Sequence, residues 1–115
     1  MTLRMTERNV NGGGVLVLEG RIVLGVESSS FPEKVKSLLA AGKKKIVLDL
    51  ANVSYIDSAG LGALVAAFHS ARSQGGILKL ANLGQKFNEV LQMTKLMTVF
   101  DTYSNEGAAI QSFRS

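Results

Sequence analysis

Asp57 and Ser58 set a carboxylate beside a hydroxyl, and Ala59-Gly60-Leu61-Gly62 after them opens an apolar run. Residues of these types in this order support three kinds of chemistry. Either side chain can cap a helix by accepting bonds from N–H groups of its first turn. The hydroxyl could act as a nucleophile, which needs a general base within about 3 Å. It could also take a phosphate, whose charge of roughly −1.5 to −2 would meet the positive end of a helix dipole. The nucleophile is the weakest of the three. The one histidine, His69, follows eleven residues later on the same expected helix, about 16 Å away at 1.5 Å per residue. Ile56 stands two residues before Ser58, where a nucleophile elbow wants glycine. No catalytic residue is expected, and the chain is read as a binding protein rather than an enzyme.

The helix that would carry Ser58 runs to about Gln74 and is stopped by Gly75-Gly76. Leu61, Leu64, Val65 and Phe68 fall at i, i+3, i+4 and i+7, which predicts the buried stripe. Gly60, Ala63 and Ala67 lie off that stripe and predict a flat strip near the helix start. Each helix glycine costs about 1 kcal/mol relative to alanine. Two explanations offset that cost: close packing of the helix on its own sheet, or close docking of another protein.

Elsewhere the elements alternate. Asn11-Gly12 between apolar flanks predicts a hairpin and so an antiparallel first pair. Val15 to Leu18, resumed at Ile22 to Leu24, predicts a central strand buried on both faces. Ser30-Phe31-Pro32-Glu33 has capping-box spacing and predicts a helix start; Phe31, Val35, Leu38 and Leu39 form its stripe and Gly42 its end. Strands follow at Ile46 to Leu50 and Ile77 to Ala81, then a helix with Phe87, Val90 and Leu91 inward. Met97 to Phe100 reads as a strand and Glu106 to Phe113 as a closing helix. Strand–helix–strand repetition implies an α/β fold: a mixed, mostly parallel sheet with an antiparallel first strand, covered by about four helices. Residues 1–115 are expected to form a single domain.

Composition narrows the function classes. Cysteine is absent, and with one histidine no metal site or bound cofactor is expected. Met1 to Asn11 carries Arg4, Glu7 and Arg8 without an apolar stretch, so no signal peptide is expected and the protein is read as cytoplasmic. The longest weakly polar run, Ala59 to Phe68, is far short of the ~20 residues of a membrane-spanning helix, so membrane insertion is not expected. The net charge of +4 rests on no broad basic face, and the Lys43-Lys44-Lys45 cluster lacks neighbouring aromatics. Nucleic acid is therefore not an expected partner. Gly60-Leu61-Gly62 does not extend to a dinucleotide fingerprint, because Val65 stands where glycine or alanine is needed.

Asp57-Ser58-Ala59-Gly60-Leu61-Gly62 resembles the D-S-[SA]-G-L-G signature of STAS domains in bacterial anti-sigma-factor antagonists. The likeness extends through Gly20-Arg21-Ile22, Ile46 to Val53, and Thr94-Lys95-Leu96 to Phe100. The resemblance implies a STAS fold and a switch. The serine matching Ser58 is phosphorylated, with ATP, by a cognate anti-sigma factor that is also a serine kinase, and a phosphatase reverses the step. The unphosphorylated protein binds the anti-sigma factor and frees sigma. The resemblance places Asp57, Ala59, Gly60, Gly62 and Ala63, together with Leu24 and Gly25 before the first helix, among the partner contacts; a homodimer is compatible with it. One departure stands out. Many phosphorylated members carry an acidic residue soon after the Gly-x-aliphatic step, where it helps engage the kinase, whereas this chain reads Gly20-Arg21-Ile22-Val23-Leu24-Gly25. The alternative is a STAS module that is not phosphorylated, such as a scaffold or subunit of a lipid transporter or stressosome-like assembly.

Overall fold

The computed structural model describes residues 3–10, 13–22 and 26–113. Five strands form one sheet in the order β1 (Arg4–Val10), β2 (Gly13–Ile22), β3 (Lys45–Ile56), β4 (Ile77–Ala81) and β5 (Asp101–Tyr103). β1 runs antiparallel to β2 and all other neighbours are parallel. The antiparallel first pair, the mixed sheet and the interior place of β2 agree with the sequence reading, while Asn11-Gly12 and Val23-Leu24 lie outside the described residues. Four helices, α1 (Val26–Ala40), α2 (Ser58–Ser73), α3 (Gln85–Met93) and α4 (Glu106–Ser112), connect and cover the strands. None of the described helices is long and apolar enough to cross a membrane.

Alternation along the strands divides the core between two faces. Leu16, Leu18, Ile46, Leu48, Leu50, Leu78 and Leu80 point to the side covered by α1, α2 and α3 and meet Phe31, Val35, Leu39, Leu64, Phe87 and Leu91 there. Each such side chain, fully buried, is worth roughly 1.5–3 kcal/mol. Val15, Val47 and Ala81 point the other way and meet Ala109 of α4. On that side Lys79, also buried, donates from Nζ to Ser112 Oγ at 2.6 Å and Tyr103 Oη at 3.2 Å, and lies 4.5 Å from the centre of the Phe113 ring.

Three elements differ from the sequence reading. α1 begins at Val26, so Ser30 lies inside the helix rather than at its cap, and Pro32 is internal. A proline forfeits one backbone bond to the turn ahead of it, and here that turn is kept while Phe31 and Val35 stay packed in the core. The helix ends as expected: Gly42 adopts φ +91°, its N–H bonds to Leu39 O at 3.0 Å and that of Lys43 to Leu38 O at 3.0 Å, a left-handed closure that favours glycine. β3 continues past Leu50 to Ile56. The expected strand at Met97 to Phe100 is instead a 3-10 turn, Leu96–Thr98, and the strand lies at Asp101–Tyr103. Lys95 takes a left-handed backbone, φ 62°, after which one tight turn brings Leu96 against the core and buries Phe100 with its ring 5.2 Å from that of Phe68.

The basic cluster has a structural use. Lys43 Nζ contacts Glu7 Oε2 at 2.8 Å and also Asn9 Oδ1, while Lys34 Nζ reaches Glu7 Oε1 at 2.8 Å. Hydrogen bonds from Lys34 and then Lys43 lower Glu7 from 4.5 to about 2. A lowered carboxylate stabilises above its unfolded value and loses that contribution as pH falls through its folded one. The melting-temperature difference between wild type and Glu7→Gln is therefore expected to be present at neutral pH and to vanish as pH falls from 4.5 to about 2. Because the pair is exposed, high salt is expected to shrink it at every pH.

Candidate functional site

β3 delivers the chain to the head of α2 without a loop: Ile56 ends the strand, Asp57 caps, and Ser58 opens the helix. The Asp57 N–H donates to Ile22 O at 3.2 Å, which ties this junction to the end of β2. Asp57 is extended, with φ −103° and ψ −175°, and its Oδ1 accepts from the Gly60 N–H at 2.8 Å. Capping is thus an observed role of Asp57. Asp57→Ala is expected to cost about 1 kcal/mol, read as a lower chemical-denaturation midpoint with an unchanged m-value.

Ser58 is exposed at the first helical position, and Ala59 beside it is half-buried. First-turn N–H groups point toward this end of the helix and give it positive potential. An anion on the Ser58 hydroxyl therefore sits where the helix favours it.

The face that α2 turns inward is not the one its bulky residues predict. Gly60, Ala63, Leu64, Ala67 and Ala71 are buried, whereas Leu61, Val65 and Phe68 are half-buried against the edge of the core. Gly60 and Ala63 therefore do not offer an open strip to a visitor, and neither does Ala67. A β-carbon on Gly60 would collide with the carbonyl oxygen of Ile22 and lie 2.7 Å from its carbonyl carbon and 2.9 Å from Ile56 Cγ1. The first turn of α2 rests so close to the strand ends that a side chain at Gly60 has no room, while Leu64 one turn on is fully buried and Leu61, Val65 and Phe68 fill the space to either side. The outward strip is instead Ser58, Gly62 and Ala66, spaced by one helical turn. A β-carbon on Gly62 would meet nothing within 4 Å. Of the expected contacts, Ser58, Asp57, Ala59 and Gly62 gather at the helix head, Gly60 and Ala63 lie beneath it, and Leu24 and Gly25 fall outside the described residues.

Spacing did not reveal an apolar cleft of about 280 Å³ beside the junction, walled by Val53, Tyr55 and Ile56 of β3 and Phe87, Val90 and Met93 of α3. It forms because β4 pairs only with Lys45 to Asp49, which leaves the end of β3 without a strand on that side. Arg21 stacks over the Tyr55 ring at 5.2 Å. His69 is exposed beside Phe68, and no group of three or more metal-ligating side chains occurs among the described residues.

Residues 5–109 match the family model described as the STAS domain. The chain belongs to the STAS family. It is 27% identical to the Bordetella bronchiseptica protein named "Putative anti-sigma factor antagonist BtrV", over 98% of this chain and 97% of that one. It is 30% identical to a Thermotoga maritima protein named "Putative anti-sigma factor antagonist", over 87% of this chain and 90% of the relative. A crystal structure of such a protein from Thermotoga maritima superposes with a TM-score of 0.88 at 27% identity, covering 96% of this chain and 95% of that one. The mixed five-stranded sheet with four helices is thus the STAS fold.

Proposed function

We propose that this STAS protein is an anti-sigma factor antagonist that binds a cognate anti-sigma factor through the head and outer strip of α2, and that phosphorylation of Ser58 releases the partner. The observation that carries this reading is the exposed Ser58 at the first position of α2, directly after a cap already formed by Asp57. The names of its relatives over nearly the full chain support the class of partner. A phosphate there is tolerated by the helix, because it meets the positive dipole end, and is opposed by any partner that must bury it. The modifying enzyme is the anti-sigma factor itself, a serine kinase that uses ATP, and a serine phosphatase restores the binding form. The protein acts in the cytoplasm, as a regulatory binding protein and not as an enzyme.

A non-phosphorylated scaffold is the second reading, favoured by one observation: Gly20 to Gly25 contains no carboxylate, and its one charge, Arg21, lies over Tyr55. Intact-mass spectrometry separates the two. Incubation with the cognate anti-sigma factor and ATP is expected to add one phosphate to wild type and none to Ser58→Ala. Partner binding without any mass change would favour the scaffold.

A further inference from the structure

On the face of the sheet opposite α2, Asp49 of β3 is a buried acid, 8% exposed. Its Oδ1 accepts from the Ala51 N–H and from Asn82 Nδ2, each at 3.0 Å. Asn82 is fixed by a left-handed backbone, φ 61°, and by its N–H bond to Tyr103 O at 3.1 Å. Glu106, the first residue of α4, is paired with Arg8 of β1, and its carboxyl stands near enough to that of Asp49 for each to shift the titration of the other. Two carboxylates and one guanidinium therefore meet where α4 lands on the sheet. Among the described residues the other charged or titratable groups on that face are Arg4 of β1, Glu19 of β2, Lys45 at the far end of β3 four residues before Asp49, Lys79 of β4, and Asp101 and Tyr103 of β5. Arg4 is the register partner of Glu19, and Lys79 that of Asp101. Lys79 Nζ is bonded to Tyr103 and Ser112, which leaves Arg8 as the cation that faces the carboxylate pair.

We infer that Asp49, Glu106 and Arg8 form a proton-operated latch that sets how firmly α4 is held on the sheet, closing more tightly as the medium is acidified from neutral. With both carboxylates ionised, one guanidinium must offset their mutual repulsion. A single proton between them turns the repulsion into an O–H···O bond.

The two groups titrate in opposite directions. Glu106 is raised above 4.5, first by its bond with Asp49 and then by burial. Burial works to raise Asp49 as well, yet the bonds from Glu106, Ala51 and Asn82 and the charge of Arg8 hold it below 3.8. A raised acid stabilises below its unfolded value and loses that contribution as pH rises through its folded value; a lowered acid stabilises above its unfolded value and loses that contribution as pH falls through its folded one. Both contributions are therefore largest in mild acid, and the Glu106 share fades toward neutrality. The latch is independent of Ser58 and of any partner, because it lies on the other face of the sheet and involves this chain alone.

Amide hydrogen exchange on the isolated protein tests it, with rates divided by the intrinsic rate at each pH. Protection in α4 is expected to rise about threefold or more from about pH 7.5 to about pH 4, between the unfolded values of the two acids, while α3 changes little. Glu106→Gln, whose amide can donate to Asp49 without a proton, is expected to show high α4 protection at both pH values. Arg8→Gln should lose protection at the higher pH and regain it at the lower. Wild-type protection that ignores pH, or a Glu106→Gln variant that keeps the wild-type rise, overturns the latch. If Glu106→Gln does not fold, Asp49→Asn removes the same charge and must flatten the profile for the inference to stand.

Discussion

Ser58→Asp is expected to weaken binding of the anti-sigma factor at least tenfold, about 1.4 kcal/mol, while Ser58→Ala binds as wild type does. The asymmetry follows from where the hydroxyl sits. It is exposed on the outer strip of α2, beside Gly62 and in line with Ala66, so a partner lying along that strip must cover whatever the hydroxyl carries. A hydroxyl or a methyl group can be covered at little cost. A carboxylate beside Asp57 adds a second negative charge that loses water on docking, and an uncompensated buried charge costs several kcal/mol. The same substitution is expected to leave the free protein intact. A negative charge in the first turn interacts favourably with the helix dipole, by about 0.3–1 kcal/mol, so the melting temperature should hold or rise slightly. Isothermal titration and thermal melts of the three proteins separate a binding effect from a folding one. Equal loss of binding in Ser58→Ala and Ser58→Asp would point to a lost hydrogen bond in place of charge.

The two glycines of α2 are expected to respond in opposite senses to the same change. Gly60→Ala places a methyl group against the Ile22 carbonyl and Ile56 Cγ1, and the carbonyl is backbone that the Asp57 N–H also holds. Overpacking of this kind costs about 1–3 kcal/mol and more where backbone must move; about 3 kcal/mol is expected, or roughly 10 °C or more in melting temperature. Gly62→Ala meets open space and should stabilise the helix by up to about 1 kcal/mol. If the docking strip is the outward one, Gly62→Ala should nevertheless weaken the anti-sigma factor complex, since its methyl group stands in the contact. A variant at position 62 that is both more stable and a poorer binder would separate the two roles that spacing alone left open.

The sequence was a good guide where one local rule decides the outcome. The antiparallel first pair, the buried strands and the left-handed end of α1 at Gly42 follow from short-range signals, and the structure has them all. It misled where packing between elements decides. The stripe Leu61, Leu64, Val65 and Phe68 has the right period for a buried face, yet the first turn of α2 approaches the ends of β2 and β3 too closely for a large side chain. Gly60, Ala63 and Ala67 take the inner position beside Leu64, the one member of that stripe that is fully buried, and Leu61, Val65 and Phe68 fill the flanks. Period identifies a helix and a face, but residue size at the crossing selects which face goes in. The capping-box spacing of Ser30 to Glu33 marked a helix start that lies about one turn earlier, because tertiary packing tolerated the one backbone bond that Pro32 forfeits. The Asp49, Glu106 and Arg8 cluster joins residues from three elements far apart in the chain, and no spacing rule connects them.

The most direct test of the central claim compares one protein in two states. Wild type is phosphorylated by its cognate kinase, the single site is checked at Ser58, and both forms are titrated with the anti-sigma factor under identical salt. At least a tenfold weaker complex is expected for the phosphorylated form, restored by phosphatase. Equal affinities for the two forms, with the phosphate confirmed on Ser58, would contradict it.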